Sequence, residues 1–148
     1  MKTFLVAAAL ALTTFSTFSA SANNRSKNKV SVSTFQSLQE QFGDISNLNW
    51  EPAINKMLRA TFTKDGETVS AFFDQRGQLL ASTTNVEPAE LPGAVKKSLA
   101  QKVKEGTITE AIRYQDNDEQ AFFIKIVAGN TERLFKCYSE GAIEEVKF

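Results

Sequence analysis

Two hydrophobic periodicities alternate along this chain in a repeated order. Phe35, Leu38 and Phe42 recur at helical spacing, which predicts a helix over 33–42, capped by Ser33 or Thr34 and ended by Gly43. A second helix is predicted over 90–105, with Pro92 in its first turn, Val95, Leu99 and Val103 as its apolar stripe and Gly106 as its stop. After each helix the period drops to two. The first group of strand-like segments is 45–50, 56–63, 67–74 and 78–85, and the second is 107–115, 120–128, 132–139 and 142–148. The pattern describes an α+β chain of two tandem repeats, each a helix followed by an about four-stranded antiparallel sheet.

Turn chemistry sets the register. Asp65-Gly66 is a two-residue hairpin signal, because a type I′ turn needs positive φ at both central positions. It places Phe62 opposite Val69, Ala60 opposite Ala71 and Leu58 opposite Phe73. If Gln75-Arg76-Gly77 turns through a glycine bulge, Leu79 and Ala81 join the same face. The first helix is expected to cover that face. The same construction in the second repeat puts Phe122, Ile124, Ile126, Phe135, Cys137 and Ile143 beneath the second helix. Cys137 is thereby expected to be buried and inert.

The opposite face is unusually apolar. It carries Phe72, Leu80, Phe123, Leu134, Tyr138, Val146 and Phe148 among Met57, Arg59, Lys125, Lys136 and Glu144. Lys136 falls opposite Glu144, as an exposed cross-strand ion pair would. Contiguous apolar surface of this kind marks binding sites, whereas a loop, the leader or the other repeat covering it would make it ordinary core. Phe72, Leu80, Phe123, Leu134 and Tyr138 are the candidate partner-binding residues.

The repeats superpose with one constant offset of 64, which sets Phe35 on Leu99, Trp50 on Tyr114, Leu58 on Phe122, Gly77 on Gly141 and Leu79 on Ile143. Repeat one then spans 33–88 and repeat two 89–148. Trp50 reads as an aromatic closing the core edge, with a ligand-stacking platform as the other reading.

The N-terminus changes the cellular picture. Lys2, the apolar run from Phe4 to Leu12 and the small-residue site Ala20-Ser21-Ala22 form the three parts of a signal peptide over 1–22. A polar leader, 23–32, would follow its cleavage. Removing Lys2 with that segment leaves 16 basic and 17 acidic residues, too balanced for an electrostatic case for nucleic acid or anionic lipid. No later apolar run is long enough to span a membrane. The protein is expected to be periplasmic or secreted. Its one cysteine can form no internal disulfide, and the sequence has no histidine. That absence excludes a histidine general base, a histidine-activated nucleophile and histidine-ligated zinc.

No motif supplies alternative chemistry. Asp116-Asn117-Asp118 has the opening spacing of a calcium loop but lacks the later ligands and glycine, so a turn is the simpler reading. Ser26-Lys27-Asn28-Lys29 fits Ser-x-x-Lys, and Asn24-Arg25-Ser26 fits a glycosylation pattern, but both fall in the polar leader. Glu144 and Glu145 are adjacent on a strand and point to opposite faces. Glu40 has no carboxylate one turn away. The sequence implies no cofactor and no metal.

Taken in order, the helix ending in Phe42-Gly43, the segment Ile45-Ser46-Asn47-Leu48-Asn49-Trp50, the hairpin from Ala60 to Gly66, the run from Ala71 to Leu80 and Glu90-Leu91-Pro92 resemble the PepSY-like family of small exported bacterial proteins. That family is described as similar to the beta-lactamase inhibitor protein. The wider group occurs in propeptides of secreted thermolysin-like proteases, where an inhibitory role has been proposed. The resemblance implies a non-enzymatic binder or inhibitor and names no target; the export signal makes the expected partner an envelope or extracellular protein, and pairing between the edge strands of an open sheet would give a monomer or weak dimer. The alternative is a small-ligand or peptide-binding envelope protein with a pocket near Trp50. The chain departs from the family pattern at Tyr138, which stands where Asp74 stands in the first repeat.

Overall fold

The computed structural model describes residues 30–147. The signal peptide, most of the polar leader with its two short motifs, and Phe148 lie outside the described residues. The architecture is α+β, with two helices, an eight-stranded antiparallel sheet whose strands follow sequence order, and a helix-then-four-strands arrangement that occurs twice. The chain divides into two compact units between Ser82 and Thr83.

In the first unit, α1 (Val32–Phe42) precedes β1 (Ser46–Pro52), β2 (Leu58–Lys64) and β3 (Glu67–Phe73); β4 (Leu79–Asn85) crosses the division. Ser31 caps α1, its hydroxyl accepting the Thr34 N–H at 3.1 Å, rather than Ser33 or Thr34. Thr34 lies inside the first turn, where its own N–H is the group capped and its hydroxyl sits 2.7 Å from that of Ser31. At the other end Gly43 donates its N–H to Gln39 O, and the Lys64 ammonium donates to Phe42 O at 2.6 Å, satisfying carbonyls that the last turn leaves open. Asp65 and Gly66 both adopt positive φ, 51° and 85°, and the β2–β3 ladder has the expected register, Leu58 to Phe73, Ala60 to Ala71 and Phe62 to Val69. Leu38, Ala60, Phe62, Val69, Ala71 and Phe73 form the core, with Phe42, Trp50 and Leu79 against it. Fully burying side chains of this size contributes about 1.5–3 kcal/mol each.

The second unit contains α2 (Gly93–Lys102), β5 (Thr107–Asp116), β6 (Gln120–Ala128), β7 (Thr131–Cys137) and β8 (Ile143–Val146). Its helix is shorter than the expected 90–105 at both ends. Pro88–Glu90 is a separate 3₁₀ turn closed by a Glu87–Glu90 capping box. Leu91 is extended, as a residue before proline prefers, and Pro92 is the N-cap rather than a first-turn residue. Val103 ends the helix by turning extended, so Gly106 lies beyond the stop. Leu91, Val95, Leu99, Ala111, Phe122, Ile124, Ile126, Phe135 and Cys137 make this unit's core. Burial pushes the Cys137 thiol up to about 12, which leaves it inert at neutral pH.

The repeat holds, but not at one offset. In β2–β3 and β6–β7 the pairs Leu58–Phe73 and Phe122–Cys137, and Ala60–Ala71 and Ile124–Phe135, confirm 64. In the preceding strands, Ser46–Thr63, Asn49–Thr61 and Pro52–Leu58 correspond to Thr107–Val127, Glu110–Lys125 and Arg113–Phe122, which sets β1 and β5 at 61. The helices follow β1 and β5: Leu38 and Leu99 are the buried counterparts, while Phe35 is 42% exposed. Phe35 therefore matches Lys96 rather than Leu99, and Trp50 matches Ala111 rather than Tyr114. The difference of three residues arises where β5–β6 continues through Tyr114–Ala121 and Gln115–Gln120 to a tight turn, whereas β1–β2 breaks off at Pro52–Leu58.

The substitution of Tyr138 for Asp74 leaves the turn intact. Asp74 N–H to Gln78 O and Gly77 N–H to Asp74 O recur as Tyr138 N–H to Ala142 O and Gly141 N–H to Tyr138 O. The Asp74 carboxylate additionally accepts the Arg76 and Gln78 N–H groups, a role the phenol side chain does not take over.

Candidate functional site

The strand pleat separates the candidate residues from both helices. Phe72, Phe123 and Leu134 alternate with core residues along β3, β6 and β7, so they point away from the helix-packed side. They belong to neither helix-side cluster. Each is nonetheless buried, Phe123 to 2% exposure. Leu80 is 36% exposed, and Tyr138 is partly exposed.

In the second unit, Phe123 is the centre of an ordered group. The Tyr114 ring meets it edge-on, with centroids 5.8 Å apart and planes at 85°. The Lys136 ammonium stands 5.9 Å from the Phe123 centroid and 5.0 Å from that of Tyr138, within cation–π range of both. Lys136 is 3% exposed. It lies in register with Glu144, as expected, but it is not part of an exposed pair, and its ammonium bonds Glu119 at 2.6 Å. The β5–β6 turn brings Glu119 to the buried amine, whereas Glu144 stays exposed on the edge strand. Burial opposes the charged form of Lys136, but hydrogen bonds to Glu119 and Tyr138 outweigh it and raise its pKa.

Asp116 anchors the turn beside this group. One carboxylate oxygen accepts the Asp118 and Glu119 N–H groups at 2.8 Å, and the other accepts the Tyr114 hydroxyl at 2.8 Å. Burial opposes its charged form, yet the Asp118 N–H, the Tyr114 hydroxyl, the Glu119 N–H and Lys136 hold its pKa below the usual value. Burial and the Asp116 bond raise that of Tyr114. The acidic run is thus a turn whose first carboxylate is occupied by its own loop. No group of three metal-ligating side chains occurs among the described residues.

Around Leu134 the face is charged. It lies opposite Lys125, which approaches Glu110 at 3.7 Å and Glu132 at 4.0 Å. In the first unit Phe72 lies opposite Arg59, which pairs with Glu51 at 2.9 Å. Such partly exposed pairs contribute about 0–1 kcal/mol and serve mainly to fix side-chain positions.

The remaining candidates are structural. Trp50 packs on Phe73 with centroids 5.6 Å apart, on the helix side. Glu145 lies opposite Phe135, Glu144 opposite Lys136, so the two carboxylates diverge. Glu145 instead holds Arg133 through two 2.8 Å bonds. Glu40 is exposed on α1. Among the described residues no helix is long and apolar enough to cross a membrane. Sequence reasoning missed Tyr114 as a neighbour of Phe123, and Asp116 and Glu119 as the partners of Tyr114 and Lys136. The signal that finds them is the longer β5–β6 hairpin, concealed by a single repeat offset.

No family model matches the chain, and no curated protein sequence matches it. Solved structures do. A BLIP-like protein from Bacteroides fragilis has a TM-score of 0.73 at 16% identity, covering 78% of this chain and 84% of that one. A DUF2874 family protein from Bacteroides uniformis has a TM-score of 0.72 at 17% identity, covering 77% and 86%. A Bacteroides eggerthii protein proposed to be periplasmic has a TM-score of 0.69 at 14% identity, covering 78% and 88%. At these identities the likeness establishes a shared fold.

Proposed function

We propose that this chain is an exported, non-enzymatic binding module, protein-binding or inhibitor-like, that meets its partner on the sheet face turned away from the helices. The observation that carries this reading is that Phe123 and Leu134 lie outside the helix-side cluster of their own unit, and Phe72 independently lies outside that of the first unit. Phe123 is itself buried, and Lys136 ties it to the partly exposed Tyr138, so it acts as support for residues that reach solvent. Leu80 and Tyr138 complete the candidate set at solvent-accessible positions.

Three further considerations support the reading. The fold is shared with a BLIP-like protein. The sequence resembles the PepSY-like family, and its first 22 residues have the composition of a signal peptide, which agrees with a periplasmic or secreted site of action. The absence of histidine from the sequence removes the commonest acid–base and nucleophile chemistry.

The test replaces exposed Leu80, and separately the partly exposed Tyr138, by Glu in the mature chain and measures thermal unfolding beside capture of envelope proteins. The reading expects capture to be lost with the melting temperature nearly kept. Capture unaffected by either change would remove this face from consideration.

A further inference from the structure

The first unit turns a different chemistry to the open side of its sheet than the second does. Ala60 and Phe62 belong to the helix-side core, so Arg59, Thr61 and Thr63 of β2 point the other way. The ladders set Asn49 and Ser70 beside Thr61, and Ser46 and Thr68 beside Thr63. Two neighbouring rows across β1, β2 and β3 therefore carry only hydroxyls and one carboxamide. In the second unit the places of Asn49, Thr61 and Ser70 are taken by Glu110, Lys125 and Leu134, which are charged or apolar.

Most of these polar groups reach solvent. Asn49 and Thr68 are exposed, Thr61 and Thr63 are half-buried, and Ser70 is buried. Asn47, in left-handed backbone at a φ of 55°, donates its side-chain amide to the Thr63 hydroxyl at 3.3 Å. No side-chain hydrogen bond engages Asn49, Thr61 or Thr68 among the described residues. A threonine hydroxyl can donate once and accept twice, and its β-branched side chain has few rotamers to lose on binding.

The next row supplies a further donor without adding net charge. Arg59 lies in register between Glu51 and Phe72, and its Nη2 bonds Glu51 at 2.9 Å. Its Nε has no acceptor among the described residues, so the guanidinium keeps donor capacity that Glu51 does not use. The Glu51 carboxylate offsets the charge of Arg59 and opposes an anionic ligand, which leaves a neutral one favoured. Phe72 is 1% exposed and presents no ring for stacking.

We propose that this face of the first unit binds a neutral, unbranched polysaccharide laid across β1, β2 and β3. Asn49, Thr61, Thr63 and Thr68 exchange hydrogen bonds with its hydroxyls, and the Arg59 guanidinium donates to a sugar oxygen. Neighbouring strands lie about 4.8 Å apart, close to the advance of one pyranose ring along an extended chain, so successive rings meet successive strands. A polyol matches an uncharged array in which each group both donates and accepts. Without a stacking ring the binding is weak and is carried by hydrogen bonds. The site goes beyond the protein-binding reading and does not rest on it, since Leu80 and Tyr138 test that reading and none of the sugar-facing residues does.

Titration of the isotope-labelled mature chain with cellohexaose, chitohexaose and maltohexaose, followed by amide NMR shifts, tests the proposal, with hexagalacturonate as the charged comparison. At least one neutral chain is expected to shift amides of β1, β2 and β3 and to leave those of α2 and β7 in place. The joint change Thr61→Val and Thr63→Val keeps side-chain shape and strand preference while removing two hydroxyls. It should weaken that binding at least tenfold with circular dichroism unchanged. Arg59→Lys, which keeps the charge beside Glu51 but not the guanidinium donors, should weaken it as well. If the valine pair lowers the melting temperature, Asn49→Ala with Thr68→Val at exposed positions supplies the same comparison. No shift with any of the three neutral chains, shifts centred outside β1–β3, equal or tighter binding of hexagalacturonate, or binding indifferent to loss of the hydroxyls would each overturn the proposal.

Discussion

Gly77 lies directly against Thr34: a Cβ on this glycine would come within 2.7 Å of the Thr34 hydroxyl and 2.8 Å of its backbone nitrogen. The contact lets the β3–β4 turn seat beneath the first turn of α1. Gly77 also holds a φ of 85°, which L side chains rarely adopt. Gly77→Ala is therefore expected to destabilise the protein by about 2–4 kcal/mol, combining backbone strain with an overpacked contact. Gly66 holds the same φ with nothing within 4 Å of a built Cβ, so Gly66→Ala should cost distinctly less. Urea unfolding of the two variants measures the difference.

The helix correspondence predicts opposite outcomes for two neighbours on α1. Leu38 is fully buried in the first unit's core, and Phe35 is 42% exposed and outside it. Leu38→Ala should cost about 2–5 kcal/mol, and Phe35→Ala under about 1 kcal/mol. Equal losses by chemical unfolding would restore the single offset that pairs Phe35 with Leu99.

The Lys136–Glu119 pair should respond asymmetrically. Glu119→Gln leaves an almost inaccessible ammonium without its 2.6 Å carboxylate partner, while Lys136→Met leaves a carboxylate that still reaches water. A buried charge that loses its counter-charge is the costlier residue of such a deletion. The expected losses are about 2–3 kcal/mol for Glu119→Gln and about 1 kcal/mol for Lys136→Met. A double-mutant cycle on thermal unfolding checks the order.

Cys137 makes a prediction about alkaline pH. Burial raises its folded pKa from 9.0 to about 12, so the unfolded chain releases this proton first. The stability linked to the thiol is complete below pH 9 and declines as pH rises from 9 towards 12. Its slope is at most about 1.4 kcal/mol per pH unit. Cys137→Ala should flatten that part of the stability curve while lowering the whole curve through the cavity it leaves. Iodoacetamide at pH 8 should label the thiol only after unfolding.

The Arg133–Glu145 pair bridges β7 and the edge strand β8 through two bonds of 2.8 Å. The hydrogen bond from Arg133 holds the Glu145 pKa below its usual value. Whatever stability it contributes is present above the ordinary glutamate pKa and is lost as pH falls through the lowered one. The protection factors of β8 amides, corrected for the intrinsic pH dependence of exchange, should accordingly fall in acid, and Glu145→Gln should abolish that fall.

Much of the architecture was legible from local chemistry. Asp65-Gly66 specifies a hairpin because its two positions accept positive φ, and the period-two pattern then assigns Leu58, Ala60 and Phe62 to one face. The same reasoning buried Cys137 and separated Glu144 from Glu145. The second helix was less legible, since Pro92 fits both a first turn and an N-cap, and only the extended backbone of Leu91 distinguishes them. The candidate face was legible as a set of residues, not as an environment. Alternation assigns Phe123 and Lys136 to one side, but the partner of Lys136 comes from a turn that pleat periodicity does not locate.

The sequence by itself determined the repeated helix-and-strand order, the hairpin registers and the division of apolar residues between two faces. These follow from side-chain volume, backbone propensity and the two-residue pleat, which act over a few residues. Tertiary structure alone decided that β1 and β5 correspond at 61 while the later strands correspond at 64, and that Tyr114 and Glu119 thereby gather about Phe123 and Lys136. The reason is physical: a hairpin can hold three more residues beyond the same pair, two further pairs and a different turn, without disturbing the alternation of its ladder, so the shift becomes visible only when the strands are paired.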